Sequence, residues 1–203
     1  MLTQYNLKMP HAVYGGENAM DNITAIIKAR GAKKVAMFTD KGIEGAGLFA
    51  LPEEAVKASG AEYYVLDELP PEPSYMAVQK LVDEFKVSGA DLIVACGGGS
   101  VMDCAKISGL MATNPGELWD YVQGGTGGRR AFEHDPLPLV AITTTAGTGS
   151  EVDAGGVITN PETREKVGIG HPGCFPKLAI VDPELMVSVP PALTAYQGFD
   201  ALF

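Results

Sequence analysis

Apolar positions along this chain switch repeatedly between a helical and a strand spacing. Met20, Ile23, Ile26 and Ile27 share one face of a helix predicted from about Glu17 to Arg30, and Gly31 ends it as a left-handed cap can. Lys34 to Thr39 then reads as a core strand that ends at Asp40. A short helix across Pro52 to Ser59 leads to a second strand, Glu62 to Leu66. Pro70-Pro71-Glu72-Pro73 is a stiff loop, because proline fixes its own φ and restricts the residue before it. A helix from Ser74 to Val87 should turn Met76, Val78, Leu81, Val82 and Phe85 inward, with Gly89 as its cap. Leu92 to Cys96 is a third strand, and Leu137 to Ile142 a fourth. A β-hairpin follows from Val157 to Gly168 around Asn160-Pro161, and Leu178 to Val181 closes the series.

Three strand–helix units in succession predict an α/β fold, a Rossmann-like doubly wound parallel sheet to which the β-hairpin is attached. In such sheets ligands collect at the carboxyl ends of strands, near a switch in strand order. Asp40, the loop after Leu66 and the glycines after Cys96 all fall at such ends. Residues 113 to 136 form a long glycine-rich excursion, which Trp119 and Tyr121 should pin to the body.

The stretch from Asp91 to Lys106 carries the sharpest chemistry: strand, Gly97-Gly98-Gly99, then a helix opening at Ser100. Ser100 and Asp103 have capping-box spacing, with Asp in place of Glu or Gln. Three residues without Cβ let backbone approach a ligand closely, and the helix start favours an anion such as phosphate. An ordinary βα corner is built the same way, so these residues alone leave both readings open. The spacing fits neither a Walker A loop nor Gly-x-Gly-x-x-Gly. After the fourth strand, Thr144, Thr145 and Thr148 with two glycines could wall a nucleotide. Taken alone they read better as a polar turn in which Thr148 and Glu151 make a capping box.

Composition narrows the partners. Fifteen Lys and Arg against 25 Asp and Glu give a net charge of −10, which argues against nucleic acid and anionic membranes. No run of about 18 apolar residues exists to span a bilayer, and residues 1–8 lack a signal-peptide core. The 3 cysteines, Cys96, Cys104 and Cys174, form no Cys-x-x-Cys pair, which suggests a reducing cytoplasm and small buried thiols.

Four motifs taken together are specific. Gly-Gly-Gly-Ser-x-x-Asp-x-x-Lys (97–106), Thr-Thr-Ala-Gly-Thr-Gly-Ser-Glu-Val (144–152), Asp-Pro-Glu-Leu (182–185) and Gly-Phe-Asp-Ala-Leu (198–202) occur in this order. The chain resembles, over essentially its whole length, the iron-containing (group III) alcohol dehydrogenases. That resemblance implies an oxidoreductase that interconverts alcohols and aldehydes with NAD and a divalent metal such as Fe²⁺. It makes Gly97, Gly98, Gly99 and Ser100 the pyrophosphate turn, with Asp103 in support. Thr144, Thr145, Thr148 and Lys166 would contact cofactor, and Asp40 would accept the adenosine ribose hydroxyls and repel a 2′-phosphate. Glu72-Pro73 departs from the family's usual Asn-Pro, which leaves that loop's contact open. Asp200 matches the first metal ligand, whereas His11, His134 and His171 match none.

On the same resemblance, residues 1–182 are expected to form the dinucleotide-binding domain. Residues 183–203 would be a linker and the start of a helical metal-binding domain, of which this chain would be a truncated, inactive fragment. The family's substrate is a small alcohol or aldehyde, and its amino-terminal strand serves as a dimer contact, so a homodimer is an expectation. A sister enzyme of the glycerol dehydrogenase kind and a non-catalytic nucleotide-binding module remain as alternatives.

Overall fold

The central strands of this chain are apolar on both faces, and the computed structural model, which describes residues 8–69 and 72–202, shows why. The Pro70-Pro71 pair, residues 1–7 and Phe203 lie outside the described residues, so expectations for them stay as they stand. The first half runs Val13–Gly15 (β1), Asp21–Arg30 (α1), Lys34–Phe38 (β2), Lys41–Gly45 (α2), Ala50–Lys57 (α3), Glu62–Leu66 (β3) and Tyr75–Lys86 (α4). Leu92–Gly97 (β4), Gly99–Thr113 (α5), Leu118–Tyr121 (α6) and Leu139–Thr143 (β5) follow. Gly155–Asn160 (β6), Glu165–Gly170 (β7), Leu178–Val181 (β8) and Pro191–Asp200 (α7) complete the series.

Six strands form one parallel sheet in the order β1-β8-β5-β4-β2-β3. Alternate residues feed two cores. Ala36, Phe38, Ile93, Ala95 and Ala141 face Val78, Val82 and Phe85 of α4 and Met102, Ile107 and Leu110 of α5. Val35, Met37, Leu92, Val94 and Val140 face Ile23 and Ile27 of α1 and Val56 of α3. Each fully buried side chain of this size contributes roughly 1.5–3 kcal/mol, so both faces hold the sheet. The doubly wound reading is correct.

The order of strands reverses between β2 and β4. From β2 the chain moves outward to β3, then returns across β2 to β4 and proceeds outward through β5 to β8. A crevice therefore opens where the carboxyl ends of β2 and β4 diverge. The hairpin of β6 and β7 pairs from Gly155↔Gly170 to Asn160↔Glu165 and lies across α5. With the sheet on one side and the hairpin on the other, α5 buries ten residues and is apolar nearly all round.

Several element edges differ from expectation. The helix expected from Glu17 begins at Asp21, because Gly16 and Asn18 take positive φ and turn the chain first. Met76 is 46% exposed rather than inward, since it precedes the face that carries Val78, Val82 and Phe85. Within the 113–136 excursion, Tyr121 is buried against Phe132 in a stacked pair at 4.6 Å and Trp119 packs on Tyr75 at 5.0 Å, so both act as pins. No helix among the described residues is long and apolar enough to cross a membrane.

Candidate functional site

The glycine turn at the end of β4 sits where the strand order reverses. Here α5 starts at Gly99, not Ser100, with Gly98 in extended backbone as its N-cap and no side chain capping it. The Ser100–Asp103 capping box does not form. Because the helix begins one residue early, Asp103 falls in the second turn and its carboxylate points at the hairpin. Asp103 Oδ2 accepts from the Val157 N–H at 2.9 Å, and Oδ1 accepts from the Ser150 hydroxyl at 3.0 Å. Burial pushes the Asp103 carboxyl above its ordinary range, opposed by the Val157 N–H and by Lys106 nearby. The first N–H groups of α5 are thus left without a side-chain acceptor, which is the arrangement an anion can complete.

Each glycine does a different thing. A Cβ on Gly97 would lie 2.7 Å from Val101 Cγ2, so Gly97 lets the helix start directly against the strand and lines neither cleft. At Gly98 a Cβ would stand 3.2 Å from Thr145 Cγ2, and at Gly99 it would stand 3.1 Å from Thr148 Cγ2. The turn and the threonine loop after β5 are therefore packed face to face, as two walls. The Thr148–Glu151 capping box does not form either. Ser150–Val152 is a single 3₁₀ turn in which Thr148 Oγ1 accepts from the Ser150 N–H at 3.2 Å.

Two clefts meet at this turn. One, of ≈ 600 Å³, is the switch-point crevice and is lined by Asp40, Gly98, Gly99, Ser100, Thr144 and Thr145 among others. The other, of ≈ 640 Å³, opens toward the hairpin and is lined by Gly99, Ser100, Asp103, Thr148, Lys166 and Asp200 among others. Gly99 and Ser100 belong to both. The sequence-based candidates therefore converge, apart from Gly97, on two joined spaces.

A nucleotide cofactor fits these walls on the chain's own chemistry. Thr144 Oγ1 and Thr145 Oγ1 are buried without a hydrogen-bond partner, and an unmet buried hydroxyl is destabilising unless a ligand satisfies it. Asp40 Oδ1 accepts from the N–H groups of Gly42 and Ile43 at 2.8 and 3.0 Å, so this carboxylate also caps α2. The metal side differs. Asp200 is exposed on α7, and among the described residues no three His, Cys, Asp or Glu side chains converge. A catalytic site takes about three protein ligands, so the described residues do not make one.

Lys106 closes the Gly97–Lys106 motif from inside the core. Its side chain is 1% exposed, and Nζ donates to Ser150 O at 2.6 Å, Ser150 Oγ at 3.0 Å and Gly155 O at 3.0 Å, and pairs with Asp153. It joins α5, the threonine loop and the hairpin at one point. Its spacing from Asp103, one helical turn, was the available signal. A second tie holds the excursion: Glu165 accepts from the Thr126 N–H at 2.9 Å and from the hydroxyls of Thr126 and Thr163 at 2.6 and 2.7 Å. From α7, Gln197 Oε1 accepts from the Ala146 N–H at 2.9 Å.

Known proteins share this frame. The family model described as iron-containing alcohol dehydrogenase matches residues 10–183. The NAD-dependent methanol dehydrogenase of Bacillus methanolicus is 38% identical over 197 residues, covering 97% of this chain and 50% of that protein. The crystal structure of NADH-dependent butanol dehydrogenase A from Thermotoga maritima superposes with a TM-score of 0.89 at 28% identity, covering 98% of this chain and 49% of that one. Sulfoacetaldehyde reductase from Bifidobacterium kashiwanohense, solved in complex with NAD⁺, superposes with a TM-score of 0.85 at 32% identity, covering 98% and 51%. The chain spans about half the length of the curated relatives it matches.

Proposed function

The chain belongs to the family of iron-containing alcohol dehydrogenases, and from that premise we propose that it is the NAD-binding part of an enzyme interconverting alcohols and aldehydes by hydride transfer. One observation carries the reading: two clefts share a single wall, and that wall is the uncapped start of a 15-residue helix. A dinucleotide is two nucleosides joined through a diphosphate, and the two clefts with an anion-seeking junction match that shape.

In this reading the N–H groups at Gly99 and Ser100 hold the diphosphate, with the α5 dipole behind them. Thr144 and Thr145 donate or accept at the nucleotide on the switch-point side. Asp40 accepts ribose hydroxyls through the carboxylate oxygen that does not cap α2. On the other side Lys166, Thr148 and the Asp103-braced hairpin enclose the reactive half. NAD supplies the hydride acceptor. The chain's part is to fix orientation and exclude water, which can account for several kcal/mol of a barrier. No step is assigned to a metal, since the described residues form no site for one. Residues 1–182 make the nucleotide unit and 183–203 lead out of it, with Asp200 presented at the cleft mouth. Three buried free thiols support a cytoplasmic setting, and the exposed edge strand β1 supports a homodimer.

Isothermal titration tests this. NAD should bind with measurable heat, and NADP should bind more weakly. Crystals soaked with NAD should show diphosphate density against residues 97–100, and density elsewhere would sink the assignment. An assay with 1-propanol and NAD should show little turnover by this chain alone. Stoichiometric iron together with brisk turnover would refute that half.

A further inference from the structure

The outer rim of the switch-point crevice carries Lys41, Asp67 and Glu68 beside Asp40. Lys41, the first residue of α2, reaches back to the Asp67 carboxylate and lies 3.2 Å from Glu44 Oε2. Asp67 and Glu68 follow β3 directly, and a backbone bridge between Asp40 and Glu68 fastens their loop to the end of β2. Asp40, Lys41, Asp67 and Glu68 line the same crevice as the unpartnered Thr144 hydroxyl. Lys41 is the one cation on that lining among the described residues, against three carboxylates.

The placement of Asp40 by itself makes a poor sole discriminator. One of its oxygens is already occupied by the N–H groups of Gly42 and Ile43, which screen its charge. A 2′-phosphate would bring nearly two negative charges to the rim and would need a cation to receive it. Lys41 stands next to the ribose-facing acid, yet its ammonium is already paired with Asp67 and Glu44.

We infer that Asp67 is a specificity-determining residue. By keeping Lys41 in an ion pair it withholds the cation that could receive a 2′-phosphate, and with Asp40 and Glu68 it restricts the crevice to a cofactor with a free 2′-hydroxyl. The inference rests on the proposed placement of adenosine beside Asp40. It adds that discrimination lies in a pair of residues and a carboxylate rim, not in one acid. Exposed pairs are individually weak, so the expected effect is a modest shift in preference and not its reversal.

The test is isothermal titration of the whole chain with NAD and with NADP, for the parent, Asp67→Asn, Lys41→Ala and the double variant. Both side chains are solvent-accessible, and circular dichroism checks that each variant keeps the fold. Asp67→Asn should tighten NADP roughly five-fold while leaving NAD nearly unchanged, the scale of one exposed charge. Adding Lys41→Ala to it should remove most of that gain. An unchanged NADP-to-NAD ratio in Asp67→Asn overturns the inference, and so does a gain that survives loss of Lys41. A parent chain that binds neither cofactor overturns the proposed function as well, which separates the two failures.

Discussion

The two clefts that meet at Gly99 are built by different means. The switch-point crevice is walled by strand ends and the turns that leave them, so its shape follows from the parallel sheet. The hairpin cleft is walled by a two-stranded arm that pairs with no strand of the sheet and is tied to α5 through Asp103 and Lys106. The first site is held by backbone pairing on both sides. The second is held by those polar groups together with Ile158 and Ile169, which the hairpin buries in the core beside α5. Geometry of a ligand half gripped by the sheet should survive mutations that disturb the half gripped by the arm.

The largest expected effect is alkaline and falls on the buried interior, through Cys96 of β4, Cys104 of α5 and Cys174 beyond β7. Burial pushes the Cys96 and Cys104 thiols up to about 12 and Cys174 to about 11, against an ordinary 9.0. Their folded values lie above the unfolded ones, so their contribution is complete below pH 9, falls progressively as pH rises from there, and is gone above 11 to 12. At pH 10 the three together should lower stability by roughly 4 kcal/mol relative to pH 8, measured by urea unfolding. A flat profile between those values would show that the thiols are not buried as described.

Next comes Lys106→Met, which strands two carbonyls and frees the hairpin. It should cost about 3 kcal/mol in urea unfolding. If the contrast between clefts holds, the same variant should lose affinity for NAD while keeping affinity for ADP. Equal loss of both would mean that the arm supports the sheet site too. Gly99→Val places a side chain at the shared wall and should weaken NAD at least ten-fold by titration, about 1.4 kcal/mol, with little change in unfolding midpoint.

Asp40 separates structure from recognition on the sheet side. Asp40→Ala should lower stability by about 1 kcal/mol, because α2 loses its cap. Asp40→Ser should keep the cap and the stability yet relax the preference for NAD over NADP. If Ala alone loses stability and neither variant relaxes the preference, Asp40 is only a cap. The smallest effect belongs to the excursion. Hydrogen bonds from Thr126 and Thr163 hold the Glu165 carboxyl below its usual range. That tie is present above the ordinary carboxylate range and is lost as pH falls through the depressed folded value. Amide protection near residues 124–128, taken relative to intrinsic exchange at each pH, should therefore fall in acid, and Glu165→Gln should flatten the response.

The same contrast explains what could be read from residues alone. Strands β2, β4, β5 and β8 announce themselves because burial on both faces makes their apolar runs continuous, and the helices between them carry periodic faces. The Gly97–Ser100 turn was legible from three adjacent glycines after such a run. The start of α5 was not, because Gly98 serves as N-cap without any side-chain signature, which left Ser100 and Asp103 to suggest a cap they do not make. The Lys106 cluster was hidden for another reason. Its partners lie 44 to 49 residues away in sequence, and three of its four contacts go to Ser150 and Gly155, residues that carry no charge to flag them. Asp67 and Lys41 likewise meet only because β2 and β3 are neighbours in the sheet.

The reversal of strand order between β2 and β4 also gives the site a direction. Whatever lies along the junction has one end beside Asp40 and the other beneath the hairpin, and the two surroundings are too unlike to be exchanged. A long ligand with unequal ends can then settle in one orientation only. On the proposed function, the end of that ligand where bonds change falls under the hairpin, in the cleft that Asp200 of α7 also lines.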